Sequence, residues 1–144
     1  MKLTQALAGL VLLTSAAVAQ QAPLVAQNAW IRATPGTTAV AAAYLTLKNV
    51  STATVTVISV ESPVASHAMI HETSTQGGQS RMRPYEHLVI APGSVVKLEP
   101  GGLHVMLHDL KQPLTAGQTV PLVIKLAGGS TLQVSAAVRP LTAE

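Results

Sequence analysis

Short alternating segments, separated by turn residues, constrain the fold of this 144-residue chain more than any other feature. The run from Ala53 to Val60 carries apolar residues at nearly every second position, as a strand with one face in a core does. Paired glycines at Gly77-Gly78 and Gly128-Gly129 supply the positive φ that tight hairpin turns need. Almost half of the residues are hydrophobic, but none is Phe and only one is Trp, so the core must be aliphatic. These patterns predict an all-β fold.

The alternation and the turns predict ten strands in one domain, arranged as a sandwich or a barrel. In chain order the predicted strands are Leu24–Ala33, Val40–Asn49, Ala53–Val60, His67–Thr75, Gln79–Tyr85, Leu88–Ile90, Val95–Leu98, Leu103–Leu107, Gln118–Leu126 and Thr131–Val138. For the second of these, the Ala39–Ala43 run leaves a helix as the alternative.

The first nineteen residues are expected to be a secretory signal peptide. Lys2 precedes an apolar run from Ala6 to Leu13, and small residues then end in the A-x-A pattern at Ala17-Val18-Ala19. The apolar run is too short to cross a hydrocarbon core of about 30 Å. We therefore expect cleavage after Ala19 and a mature domain of residues 20–144 with no membrane span.

Charge and cysteine content exclude several classes of protein. Nine Lys and Arg oppose six Asp and Glu, and the cations are scattered except for Arg81 and Arg83. Nucleic acid is therefore not an expected partner, since its binding needs clustered cations. The Arg81–Arg83 pair is interpreted as a solvated pair, with an acidic partner as the alternative. The absence of cysteine excludes thiolate zinc sites, iron–sulfur clusters and a Cys nucleophile.

Two histidines and two methionines form a candidate ligand set: His71, Met82, His104 and Met106. Side chains two apart on a strand share a face, so His104 and Met106 point away from the aliphatic residues that alternate with them. If Gly77-Gly78 form a hairpin turn, His71 becomes a diagonal neighbour of Met82, with backbones about 7–8 Å apart. Spacing alone does not show whether this hairpin adjoins the His104 strand.

The chemistry of such a set favours copper. Thioethers are poor ligands for Mg²⁺ and Ca²⁺, whereas thioether with imidazole suits Cu(I), and Cu(II) could be accepted with more nitrogen or oxygen ligands. A single His or Met is more often a surface or packing residue. The residues alone therefore leave two functions open, a metal site and a purely structural β-module.

The spacing of the four residues resembles the motif of the periplasmic copper chaperones of the PCu(A)C family, in which His, ten residues, Met, twenty-one residues and His-x-Met follow one another. All three gaps match. Family members often carry a Met directly after the first His, where this chain has Glu72. Further similar stretches are Ala29–Arg32, Ala43–Leu45, Met82–Pro84 and Gly101–Leu107. The resemblance covers nearly the whole mature domain.

The resemblance implies a single cupredoxin-like, Greek-key β-sandwich that binds Cu(I) through His71, Met82, His104 and Met106. It implies a periplasmic, non-enzymatic protein that delivers copper for assembly of the Cu(A) centre of cytochrome c oxidase. The implied partners are the copper subunit of the oxidase and a thioredoxin-like Sco-type protein, and we expect a monomer. The alternative is a structural or assembly module of the cell envelope without metal transfer.

His67, Met69 and His108 share strand faces with the predicted ligands. They are interpreted as surface or packing residues, with a role as spare ligands or as a transfer relay as the alternative. His87 is interpreted as structural. His71-Glu72 opens like a zinc-hydrolase H-E-x-x-H motif, but residue 75 is Thr and the segment is predicted to be a strand.

Overall fold

The computed structural model describes residues 22–143, and all regular secondary structure in this range is β-strand. The strands are β1 Leu24–Arg32, β2 Val40–Asn49, β3 Val55–Glu61, β4 Ala65–Gln76, β5 Gln79–Pro84, β6 Leu88–Ile90, β7 Val95–Leu98, β8 Leu103–Leu110, β9 Thr119–Leu126 and β10 Thr131–Arg139. All ten predicted strands are confirmed, including β2, for which a helix was the alternative. The predicted signal peptide, residues 1–19, lies outside the described residues.

Hydrogen bonds join the strands into one sheet that closes on itself. The strand order is β5-β4-β8-β2-β1-β10-β9-β3-β6, and β3 also pairs with β4 through Val60 and Ala68. The ring from β4 round to β3 is therefore a closed barrel, to which β5, β6 and β7 are attached. The β1–β10 pair is parallel. The all-β prediction is confirmed, and the finer assignment to a cupredoxin-like Greek-key sandwich stays a prediction.

The barrel interior is filled by aliphatic side chains, as the composition requires. On β2 the residues Ala41, Ala43, Leu45 and Leu47 point inward and are all buried. Each fully buried side chain of leucine size contributes about 1.5–3 kcal/mol to folding. The largest fully buried side chains are Leu24, Ile31, Leu45, Leu47, Ile90, Leu107, Leu114, Leu122, Ile124 and Leu126. Because this interior is packed, any binding chemistry has to lie on the outer face of the barrel or at its ends.

The outer face of β4 and β8 is the part of the barrel that carries the candidate ligands. The two strands are antiparallel neighbours, and Ile70 of β4 lies opposite Val105 of β8, with both side chains buried in the core. The residues on either side of these two therefore point outward. Within residues 22–143, no helix has the length and hydrophobicity that crossing a membrane requires.

Candidate metal centre

Three consecutive outward-facing pairs across β4 and β8 consist of potential metal ligands. His71 lies opposite His104, Met69 opposite Met106, and His67 opposite His108. We call these six residues the ligand ladder. Directly opposed residues on antiparallel strands have Cβ atoms about 4.5–5.5 Å apart, so the two side chains of a pair can bind the same metal ion. The structure thus shows that β4 and β8 are neighbours, which the spacing of the residues could not predict.

The β4–β5 hairpin brings the fourth predicted ligand to the ladder. Gly77 and Gly78 have φ angles of 58° and 77°, as the predicted tight turn requires. Thr73 pairs with Met82, which is the register predicted from the sequence. Met82 therefore lies diagonally from His71 on the same face. It is 60% exposed on β5, which is an edge strand of the described sheet next to β4, so Met82 is the most accessible of the four predicted ligands.

His104 is held in the orientation of a metal-ligating imidazole. Its ring is buried, with 3% exposure, and Nδ1 lies 3.1 Å from the carbonyl oxygen of Gly102. Only a donor can satisfy this carbonyl contact, so the proton sits on Nδ1 and Nε2 carries the lone pair. That Nε2 is buried and has no hydrogen-bond partner. A backbone carbonyl that fixes the tautomer in this way is the usual outer-shell support of a metal-bound histidine.

The same carbonyl also anchors the neighbouring strand, because the amide of Thr73 donates to Gly102 at 3.1 Å. The oxygen of Gly102 therefore ties the position of β4 to the orientation of the His104 ring. Sequence reasoning missed this role. The role of a backbone carbonyl cannot be predicted from residue types. The available indication that this segment belongs to the site was the match of Gly101–Leu107 to the family pattern.

Two further imidazole nitrogens in the ladder are buried without partners: Nδ1 of His71 and Nε2 of His108. The ring of His71 lies 5.9 Å from that of His104 and 5.7 Å from that of His108, centroid to centroid. Buried polar atoms are nearly always paired, since an unpaired one costs about 1–3 kcal/mol. Among the described residues the remaining unpaired buried side-chain atom is Nε of Arg32. A metal ion bound at His71 and His104 would satisfy the unpaired nitrogens of those two rings.

The surroundings of His71 lower the pKa of its imidazole. Burial, the charge of a protonated His104 and that of a protonated His108 all lower the pKa of His71, in that order of importance. Metal ions bind the neutral imidazole, so a lowered pKa favours the binding form at neutral pH.

Imidazoles and carboxylates alone do not complete the site. Within the described part of the chain, no three His, Asp or Glu side chains are placed to hold a metal ion by themselves. The additional donors beside His71 and His104 are the sulfurs of Met106 and Met82. A mixed nitrogen and thioether set fits a soft ion such as Cu(I), and fits Mg²⁺, Ca²⁺ and Zn²⁺ poorly.

The residues around the four predicted ligands have separate roles. Arg83 donates from Nε to Glu72 Oε2 at 2.7 Å across the hairpin and remains 68% exposed, so it is a solvated residue with an acidic neighbour on its own hairpin. His87 lies off the ladder. It lines a groove of about 340 Å³ between β3 and β4, which Met69 also lines and which none of the four predicted ligands reaches.

An aromatic pair, missed as part of the site by sequence reasoning, flanks His104. The ring centroid of Tyr44 on β2 lies 6.5 Å from that of His104, and Trp30 on β1 packs against Tyr44 with centroids 4.6 Å apart and planes tilted by 41°. Both aromatic rings are buried. They cover the side of His104 that faces away from β4, which leaves the β4 and β5 side as the approach for an ion. The sequence did offer an indication of this role, because the stretches Ala43–Leu45 and Ala29–Arg32, which match the family pattern, contain Tyr44 and Trp30.

Comparison with known proteins agrees with this fold. The family described as "Putative lipoprotein LpqE-like" matches residues 24–138. "Putative lipoprotein Lxx21020" of Leifsonia xyli subsp. xyli is 35% identical over 113 residues, which are 78% of this chain and 67% of that protein.

Two solved structures are similar to this chain. The solution structure of CuI-DR1885 from Deinococcus radiodurans is 35% identical, with a TM-score of 0.67 over 84% of this chain and 81% of that chain. The copper-bound PCuAC domain from PmoF2, at 20% identity, shares the fold, with a TM-score of 0.70 over 83% of this chain and 94% of that domain. The predicted resemblance is thereby confirmed. The chain belongs to the LpqE-like family, which is related to the PCuAC domains.

Proposed function

We propose that this protein is a copper chaperone of the cell envelope that carries Cu(I) on His71, Met82, His104 and Met106. One observation carries the proposal. His71 and His104 face each other across β4 and β8 with buried, unpartnered ring nitrogens, beside the sulfur of Met106. An unpaired polar cluster of this kind is costly in a folded protein unless a ligand completes it.

The donor set suits a carrier rather than a permanent metal centre. Four neutral ligands hold Cu(I) without the negative charge of thiolates, and thioethers cannot oxidise to a disulfide in an oxidising compartment. His104 is buried whereas Met82 is 60% exposed. Copper would therefore enter and leave on the Met82 side, where an acceptor can displace one thioether before it reaches the buried imidazole of His104.

The relatives support copper as the cargo and the envelope as the location. Two similar solved structures are a Cu(I) form and a copper-bound domain, and a relative is described as a putative lipoprotein. With the signal peptide expected at residues 1–19, we place the mature protein in the periplasm. Its proposed recipient is the Cu(A) centre of cytochrome c oxidase, reached directly or through a Sco-type protein.

A Cu(I) titration against a chromophoric Cu(I) chelator tests the binding proposal, with X-ray absorption to count sulfur neighbours. We expect a tight site whose ion has about two sulfur and two nitrogen neighbours. An intact fold that takes up no Cu(I) from the chelator, or takes it up without sulfur neighbours, would refute the proposal. The structural-module alternative would then stand.

Delivery is tested separately, with Cu(I)-loaded protein and the purified apo copper domain of the oxidase subunit, with and without the Sco-type protein. Cu(I) transfer alone gives a colourless centre, so the mixture is then treated with a one-electron oxidant, and appearance of the Cu(A) absorption bands is the expected result. If copper stays on the chain in both mixtures, the recipient is wrong while the binding proposal still holds.

A further inference from the structure

Half of the ligand ladder is not used by the four proposed copper ligands. His67, Met69 and His108 occupy the two pairs that extend the ladder from His71 and His104 towards the start of β4. The ladder and Met82 together contain four of the five His and three of the four Met of the whole chain. Such a concentration on one face is not needed for packing, because the core is built without these residues.

The rings of His67 and His108 are held side by side. They stack with centroids 4.8 Å apart and an interplanar angle of 11°. Nε2 of His108 is buried and has no partner. Nδ1 of His67 lies 3.7 Å from Oδ2 of Asp109, so Nε2 is the ring nitrogen of His67 that is left to bind an ion. Two imidazole rings that could each provide a nitrogen ligand therefore lie next to each other on this face.

Met69 supplies a thioether beside this imidazole pair. It lies one pair along the ladder from His67 and His108, directly opposite Met106, and is 39% exposed. Met69 is not part of the core. Thioether and two imidazoles form a three-coordinate set that Cu(I) accepts.

We propose that His67, Met69 and His108 form a second Cu(I) position on the same face, next to the first one. The His108 ring lies 5.7 Å from that of His71, so the two positions are close enough for an ion to move between them by exchange of one ligand at a time. The second position extends the proposed copper function, but it uses none of the four ligands of the first.

The test is the Cu(I) stoichiometry of four proteins, measured by chelator competition and by native mass spectrometry. Two of them are the unaltered chain and the control His87→Ala. The other two are double variants, one with His67→Ala and His108→Ala and the other with His71→Ala and His104→Ala. We expect about two ions per chain for the unaltered chain and the control, and about one for each double variant. If the unaltered chain binds one ion and loses nothing in affinity or stoichiometry in the His67/His108 variant, the proposal is wrong.

A sulfur count identifies the second position independently. In the His71/His104 double variant, the further change Met69→Leu keeps the shape of an exposed side chain and removes only the thioether. X-ray absorption of the remaining Cu(I) should lose one sulfur neighbour relative to the parent variant. An unchanged sulfur count would show that Met106 or Met82 holds that ion, and would overturn the assignment. If the unaltered chain binds a single ion that the His71/His104 double variant keeps and the His67/His108 double variant loses, the proposed chaperone site is wrong while the second position stands.

Discussion

His71 on β4 and His104 on β8 are direct cross-strand partners whose rings meet edge to face, with centroids 5.9 Å apart and planes at 86°. Both residues belong to strands of the closed barrel, and their neighbours Ile70 and Val105 are buried in the core. The two nitrogens are thus positioned by the fold itself. The sulfur of Met82 comes from an attached edge strand, so the imidazole and thioether halves of the site should respond differently to substitution.

The first prediction concerns the buried imidazole. His104→Ala removes the one predicted ligand that is both buried and fixed by a backbone carbonyl, Gly102. We expect Cu(I) affinity to fall by at least about tenfold, equivalent to ~1.4 kcal/mol. Chelator competition measures the change. His87→Ala, an exposed histidine off the ladder, is the matched control and should bind as the unaltered chain does. Equal affinities in two folded variants would remove His104 from the site.

The second prediction separates binding from stability. Met82→Leu keeps an aliphatic side chain of similar size but removes the sulfur. Because Met82 is 60% exposed, the free energy of unfolding should change by no more than about 0.5 kcal/mol, while Cu(I) affinity falls and X-ray absorption loses one sulfur neighbour.

The control for this variant is Val89→Ala on β6, which is also 60% exposed and carries no donor atom. It should leave both quantities unchanged. A Met82→Leu protein that keeps its affinity and its full sulfur count would show that another thioether, such as that of Met69, occupies the proposed place.

Local pattern was enough to predict a large part of this structure. The alternation in β8 separated His104 and Met106 from the core residues, and Gly77-Gly78 gave the register that places Met82 beside His71. The contact between β4 and β8 was not predictable from the residues, since the two strands are separated by β5, β6 and β7 along the chain. Pairing over such a distance depends on how the whole sheet closes, and closure leaves no periodic signal in either segment.

The third prediction concerns Glu72, the position at which family members often carry a Met. Glu72 alternates with His71 and pairs with Arg83 across the hairpin, so its side chain points away from the ladder. Glu72→Met should therefore leave Cu(I) affinity and the sulfur count unchanged. Loss of the exposed ion pair should cost about 0–1 kcal/mol in stability. Thr73→Met, which lies on the ladder side, provides the comparison. A gain of one sulfur neighbour in Glu72→Met would show that the strand orientation is wrong.

The fourth prediction is a pH dependence of the apo protein. Burial and the neighbouring His104 and His108 lower the pKa of His71 in the folded state, whereas the unfolded chain keeps a value near 6.5. Between the lowered pKa and about 6.5 the unfolded chain binds more protons, so the free energy of unfolding should rise with pH in that window and level off above it.

Urea denaturation of the apo protein at several pH values measures this slope. In His71→Gln the titrating group is absent, and the slope over the same window should be smaller. An equal or steeper slope in His71→Gln would show that other groups control the stability of the apo protein at these pH values.

The last prediction separates the fold from the site by means of Asn49 at the end of β2. Asn49 is fully buried, and its Nδ2 donates to the carbonyl oxygens of Ala53 at 2.8 Å and Ile90 at 2.9 Å. Asn49→Ala leaves the buried oxygen of Ile90 without this donor, so the free energy of unfolding should fall by about 1–3 kcal/mol. The copper site should not change, since β2 meets the ladder seven residues away, where Ala42 pairs with Met106.

Ser51→Ala is the matched control, because Ser51 hydrogen-bonds to Asn49 Oδ1 at 2.7 Å but is only partly buried. It should lose less stability than Asn49→Ala and keep the same Cu(I) affinity. If Asn49→Ala lowers the affinity of the still-folded protein as much as His104→Ala does, the ladder is not fixed by its own strands. The binding geometry would then depend on the far end of the barrel, contrary to the short-range support that Gly102 gives His104.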